Sequence, residues 1–274
     1  MDCIRGVSLA DQQINQNIIF RDGQRRASER RIAVEVPVAI SYRGSTQAVL
    51  MASPNRLSEL GIGFSITEAI VPDITAILDT EVLETDLGFE IRVEIADDHL
   101  ENLQSRRRFM AGPVGCGLCG IDSLEQAVRV PPMIADHPFT LTPADIAKGL
   151  RLMSDGQVLN SSTRAVHAAA FVSRDGELVE ICEDVGRHNA FDKLIGACLV
   201  RNGFDSHTGA VFVSSRLSVE MVQKAAYFGV PVLAAVSAPT SLAIRVAQDI
   251  GLTLVAVARD DDFEVFTHAQ RILF

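Results

Sequence analysis

From residue 142 onward, apolar runs of strand length alternate with longer runs of helical period, and that alternation leaves few folds open. Thr142-Pro143 starts a helix that runs to about Met153. AVHAAAFVS and ELVEICEDV are strands joined by a tight turn at Asp175-Gly176. GRHNAFDKLIGACLVRNG is a helix stopped by Gly203, AVFVS a buried strand, and LSVEMVQKAAYF a helix ending at Gly229. PVLAAVS, SLAIRVAQDI up to Gly251, and LTLVAVA repeat the pattern. Strands that return in the same direction need crossovers, and helices supply them. The reading is an α/β fold: parallel strands between two helical layers, with the first two strands as an antiparallel hairpin on the same sheet. No internal repeat of 20–50 residues interrupts it.

Upstream the pattern is shorter and more mixed. IAVEVPVAISYR, a turn at Gly44-Ser45, and TQAVLMAS read as two strands. Ser53 is the expected N-cap, and Pro54 the first residue, of a helix over PNRLSELGIGFSI. ILDTEVLE and FEIRVEI are two further strands. Residues 32–110 thus form a small α+β unit, 111–140 a mobile linker loop, and 141–274 the α/β unit. Residues 1–31 read as a flexible tail. Arg21, Arg25, Arg26, Arg30 and Arg31 crowd its end, as a solvated arm or as a contact for phosphate or a partner.

The formal net charge of −10 argues against non-specific nucleic-acid binding, which rests on counterion release by Lys and Arg. No run approaches the ~18 apolar residues of a membrane span. The five cysteines, at 3, 116, 119, 182 and 198, are odd in number and scattered, unlike a disulfide scaffold. A reducing cytoplasm is the expected location.

Cys116 and Cys119 stand apart from the other three, in GPVGCGLCG. Asp122, with Glu125 three residues on, should cap a short helix just past them, and a helix N-terminus favours the thiolate. A structural zinc site wants four ligands, and no second pair completes a tetrahedron. A thioredoxin-like pair belongs at the start of a long helix in a βαβ unit, whereas this one precedes an irregular Pro-rich stretch. An inert loop pair also stays open. A glycine-rich mobile loop suits a thiolate that enters another protein, takes sulfur and delivers it. Cys182 and Cys198 fall in a strand and a helix, where cysteine is a small hydrophobe.

Two turns are candidate ligand contacts, because the carboxyl ends of parallel strands line the crevice of open α/β sheets. In DVGRHN, Arg187 would meet phosphate, His188 would supply a hydrogen bond or a proton, and Asn189 lies beside them. In SSRLS, Ser214, Ser215 and Arg216 are placed at a helix N-terminus, an anion site. Asp192 and Lys193 read as a solvated helix face, and His167 as a core histidine.

GCGLCG, EDVGRHNAFDKLIG, SSRLSVEMVQKAAYFGVPVLAAVSAPTSLAI and LTLVAVARDDDFEVFTH together resemble the formate dehydrogenase accessory proteins of the FdhD/NarQ family, over roughly residues 30–274. The resemblance implies a cytidine-deaminase-like C-terminal domain of three α/β/α layers. It also implies a sulfurtransferase that accepts a persulfide from a cysteine desulfurase. The sulfur would pass to the bis-molybdopterin guanine dinucleotide form of the molybdenum cofactor, for use by a formate dehydrogenase. A guanine nucleotide such as GDP would fit the same site, the protein would be a homodimer, and no zinc is implied. By the family's motif Cys116 would carry the persulfide and Cys119 would assist. The cofactor-binding segment would be Val257, Ala258, Arg259, Asp260, Asp261 and Asp262, placed after the last sheet strand. The alternatives are a cofactor-binding chaperone without catalysis and a dithiol oxidoreductase.

Overall fold

The computed structural model describes residues 10–99, 131–134, 138–259 and 261–274. The cysteine loop with Cys116 and Cys119, the helix expected after it, and Asp260 lie outside the described residues.

The expected tail is a hairpin from residue 12 on. Strand β1 (Gln12–Arg21) pairs antiparallel with β2 (Gln24–Ala33) over their full lengths. Asp22 and Gly23 both take positive φ, 53° and 74°, which is the two-residue turn whose twist matches a hairpin. Arginines hid the alternation, but Asp-Gly between two runs was a readable signal.

The N-terminal unit is a four-stranded sheet with one helix on it. Its strands are β3 (Val36–Tyr42), β4 (Ser45–Ala52), β5 (Ile77–Thr85) and β6 (Gly88–Ile95), in the order β4-β3-β6-β5. Helix α1 (Leu57–Thr67) lies between β4 and β5 in the chain. It starts three residues later than the sequence indicates, after Arg56 in a left-handed conformation. Ser53 does not cap it. The Ser53 backbone N–H and carbonyl serve buried charges described below. Val38, Ile40, Leu60, Phe64, Ile91 and Val93 form this unit's core.

The C-terminal unit carries a six-stranded sheet. In chain order come α2 (Pro143–Gly156), α3 (Val158–Thr163), β7 (His167–Ser173), β8 (Leu178–Asp184), α4 (Arg187–Leu199) and β9 (Gly209–Val213). Then follow α5 (Val219–Phe228), β10 (Val232–Ala235), α6 (Ser241–Ile250), β11 (Thr253–Arg259) and β12 (Asp262–Thr267). The order is β12-β11-β10-β9-β7-β8. β9, β10 and β11 are mutually parallel, and β7–β8 is the antiparallel hairpin read from the sequence. β12 was not anticipated: it turns back antiparallel on β11, so LTLVAVA is not the last strand. Thr142 and Asp145 close a capping box on α2, and Gly229 and Gly251 end α5 and α6 in the left-handed conformation. One face of the sheet packs on α4, α5 and α6, through Phe191, Leu194, Val222 and Ala247. The other face packs on α2, through Ile146, Leu150 and Met153.

The two units meet along α1 and α4 at backbone contact distance. A Cβ added at Gly63 would sit 1.9 Å from the Asp192 carbonyl oxygen, and one at Gly196 would sit 2.0 Å from that of Glu59. Only glycine permits this approach. It presses the N-terminal unit against the helix that begins at Arg187.

Candidate functional site

The strand registers bring the candidate turns to one edge of the large sheet. His167 opens β7 opposite Asp184, the end of β8. Ser214 follows β9, its N–H donating to the Ala168 carbonyl at 3.0 Å. Val236 continues β10 past Val213, and the Val257 N–H reaches the Ser237 carbonyl at 3.2 Å. The carboxyl ends of β8, β9, β10 and β11 therefore share this edge with the start of β7. It is the side where open α/β sheets hold ligands.

Two buried ion pairs fix the start of α4. Lys193 Nζ donates to Asp184 Oδ2 at 2.6 Å, to the Ser53 carbonyl at 2.8 Å and to Asn55 Oδ1 at 3.0 Å. Asp184 also accepts from the N–H groups of Ser53 and Gly186 and from Asn189 Nδ2. Burial holds the Lys193 ammonium below its ordinary range against the pull of Asp184. One residue earlier, Asp192 receives Lys224 Nζ at 2.7 and 2.8 Å and Thr67 Oγ1 at 2.8 Å. Burial pushes its carboxyl up, and the Lys224 ammonium pulls it back. The reading of Asp192 and Lys193 as a solvated face is thus overturned. Their partners come from a strand end, a loop and two other helices, which no local pattern shows.

On this scaffold four side chains from three elements converge: His167 of β7, Arg187 and His188 of α4, and Glu220 of α5. His188 Nε2 lies 3.5 Å from Glu220 Oε2, without hydrogen-bond geometry. Glu220 Oε2 already accepts from Ser218 Oγ at 2.9 Å. Burial first, then the nearby cations of Lys224 and Arg187, holds the His188 imidazole down at about 3. It is neutral at physiological pH and makes no ion pair with Glu220. Burial and Arg187 lower His167 as well. Among the described residues, three buried atoms here have no hydrogen-bond partner: Arg187 Nε, His188 Nε2 and Glu220 Oε1. A buried polar atom without a partner costs about 1–3 kcal/mol, so a cluster of them marks a place where a polar guest would be stabilised. Sequence reasoning named Arg187 and His188 but did not name Glu220.

The other candidates sit differently. Asn189 is spent on the scaffold, donating to Asp184 and to the Met51 carbonyl. Ser214 Oγ accepts from the Ala168 N–H at 2.9 Å, and the buried Ser215 hydroxyl donates to the Arg216 carbonyl. Arg216 is exposed. These three precede α5, which starts at Val219, so they are not its N-terminus; Ser218 and Glu220 are. Of the last candidate segment, Val257, Ala258 and Arg259 close β11, where its register with β12 is bulged, and Asp262 opens β12. Val257 takes φ 53° there, Ala258 is buried and Arg259 is exposed. A β-branched residue with positive φ is rare and stores strain. Asp261 pairs with Arg151 at 3.2 Å, and Asp262 lies opposite Arg259.

The pH response of this edge follows from His188. An unfolded imidazole protonates near ~6.5, whereas the folded one resists to about 3. The unfolded chain therefore binds more protons between these values. The contribution to stability is complete above the unfolded value and is lost as pH falls toward the folded one. In His188→Asn the decline of stability on acidification should be shallower than in wild type. Urea unfolding through the weakly acidic range checks this, and parallel declines would contradict it.

Residues 33–273 match the FdhD/NarQ family, which is nearly the whole of both units. The chain belongs to the FdhD/NarQ family. It is 51% identical over 254 residues to the sulfur carrier protein FdhD of Agrobacterium fabrum, covering 93% of each chain. Against the protein of that name from Brucella abortus it is 49% identical over 268 residues, with 97% and 99% covered. The fold is similar to a crystal structure from Desulfotalea psychrophila, a protein provisionally described as a formate dehydrogenase accessory protein. That likeness has a TM-score of 0.73 at 27% identity and covers 96% of this chain and 99% of that one. No helix among the described residues is long and apolar enough to cross a membrane.

Proposed function

We propose that this FdhD/NarQ chain is a sulfur carrier serving the maturation of a formate dehydrogenase. The names of its relatives support the class of activity. In the reading put forward, the Cys116 thiolate attacks the outer sulfur of a cysteine desulfurase persulfide. A new S–S bond forms, the old one breaks, and the desulfurase cysteine leaves as its thiolate. Cys119 assists. The acceptor is a guanine-dinucleotide molybdenum cofactor, bound as substrate at the carboxyl edge of the large sheet.

The observation that carries the binding half is the trio of unpartnered buried atoms, Arg187 Nε, His188 Nε2 and Glu220 Oε1. Together they offer a guanidinium donor, a neutral imidazole and a carboxylate oxygen. A guanine or pterin amide edge presents the complementary set, N–H donors beside a carbonyl acceptor. Arg187 shares this edge with the exposed Arg216 and Arg259, guanidinium donors for phosphate that stand beside the carboxylates of Glu220, Asp261 and Asp262. In a cytidine-deaminase-like reading, the helix starts that would hold catalytic zinc carry Arg187-His188-Asn189 and Ser218-Val219-Glu220 instead.

Calorimetric titration with GDP at low salt tests this. Wild type should bind GDP in preference to ADP, and Arg187→Ala should bind at least about tenfold more weakly, the loss of one charge-assisted contact. Equal affinity of the two proteins would remove the cluster from the nucleotide site.

A further inference from the structure

We propose that the chain holds a second ligand site, for an organic cation carried on an apolar body, at the edge of the large sheet opposite the candidate nucleotide site. A cavity of about 670 Å³ lies there between the two units, within the size range of small-molecule pockets. His207 and Gly229 of its lining stand just ahead of β9 and β10, at the amino ends of those strands. Helix α5, 10 residues or about 15 Å long, has Glu220 in its first turn and ends at the cavity. Val71 and Pro72 come from the N-terminal unit, Ile134 from the segment between the units, and the exposed Met133 stands at the rim. The lining is mostly apolar, so a guest that fits it brings an apolar body.

The charge of the guest follows from the helix ends. α1 and α5 both terminate at the cavity: Ala69 and Gly229, where the chain turns left-handed with φ 54° and 80°, line it. A helix C-terminus carries partial negative charge and is stabilised by a cation. Neither helix has a basic residue in its last turn, and Lys224, one turn earlier in α5, is committed to Asp192. The neighbouring α6 shows what such an end accepts. It stops at Gly251, and the Gly251 carbonyl takes a hydrogen bond from the guanidinium of the buried Arg271 at 2.7 Å. Among the described residues the cavity wall holds no lysine or arginine, so the ends of α1 and α5 favour a cation supplied from outside.

The side chains suit that guest. Tyr227 lines the cavity with an aromatic ring, and the face of such a ring attracts a cation. His99 and His207 bring imidazoles, which accept a hydrogen bond when neutral. A Cβ added at Gly229 would stand 3.5 Å from His207 Cε1, so this ring lies against the end of α5. Asp205 fixes the turn that carries it, accepting from the His207 N–H at 2.9 Å. Asp73 and Asp98, exposed and adjacent in the chain to Pro72 and His99, add carboxylates on the N-terminal side. The chemistry recognised is an ammonium or guanidinium on an apolar stem, from a free amine or from a basic side chain of a partner.

Titration of the full chain with cyclohexylammonium tests the site, with cyclohexanol as the uncharged isostere and cyclohexanecarboxylate as the anion. The chain has no tryptophan and two tyrosines, of which Tyr42 is fully buried, so a change in tyrosine emission reports on Tyr227. The ammonium should change that emission saturably. It should bind at least about tenfold more tightly than the alcohol, the combined effect of the helix ends and the aromatic face. The carboxylate should not bind. Met133→Arg places a guanidinium at the exposed rim and should abolish ammonium binding with the circular dichroism spectrum unchanged. Calorimetry with N-acetyl-Leu-Arg-amide separates the sources: tighter binding than the amine assigns a partner's side chain, weaker binding a free amine. Failure of both cations to bind, equal affinity for the alcohol, or binding unaltered by Met133→Arg would overturn the inference.

Discussion

Lys193→Ala is expected to lose about 3–5 kcal/mol of stability, the cost of leaving one member of a buried ion pair without its partner. The Lys193 side chain is fully buried, and its ammonium touches three oxygens: Asp184 Oδ2, the Ser53 carbonyl and Asn55 Oδ1. Removing it strands the fully buried Asp184 carboxylate and two further acceptors. Asp184 also positions the first turn of α4 through the Gly186 N–H and Asn189, so the damage should reach Arg187 and His188. The double variant Asp184→Asn/Lys193→Met removes both charges and should recover a large part of the loss, because an uncharged pair incurs no ionic desolvation. Urea denaturation of the three proteins measures this. A loss under about 1 kcal/mol for Lys193→Ala would place the pair in the range of solvated surface bridges and contradict the clamp.

The same pair shows what a sequence can and cannot display. The β9–α5–β10–α6–β11 succession is legible because each element declares its own period and each of the two helices is stopped by a glycine. β12 was missed, since FEVFT follows three aspartates that look like a loop. Asp192 and Lys193 look like an ordinary polar pair on a helix. Their burial depends on Ser53, 140 residues away from Lys193, and on Lys224, 32 residues from Asp192. The glycines that let α1 press on α4 are equally silent until both helices are placed. His188 was readable as a turn residue at a strand end. Glu220 was not, because a carboxylate in the first turn of a helix is the ordinary sight of a macrodipole satisfied. Only the strand order brings the two within 3.5 Å.

The other large effect concerns the cysteines. A Cys116→Ala/Cys119→Ala protein, produced in a bacterium lacking its own FdhD-type carrier, should give no formate dehydrogenase activity above that of the empty host. Two other thiols of the chain offer no substitute. Cys182 and Cys198 are buried among Phe191, Leu194 and Val213, and burial pushes the Cys182 thiol up to about 12 and that of Cys198 higher still. The thiolate is the nucleophile, so neither can take sulfur from a persulfide at physiological pH. Cys182→Ala should accordingly leave the activity in place. Full activity from the Cys116→Ala/Cys119→Ala protein would instead describe a chaperone that binds the cofactor and carries no sulfur.

The claim that sulfur rides on this chain is tested most directly by intact-protein mass spectrometry after incubation with a cysteine desulfurase and cysteine. Wild type should gain one sulfur, roughly 32 Da, removable by a thiol reductant. The gain should persist in Cys182→Ala and vanish in Cys116→Ala. A desulfurase that sulfurates another acceptor while leaving the wild-type mass unchanged would contradict the carrier.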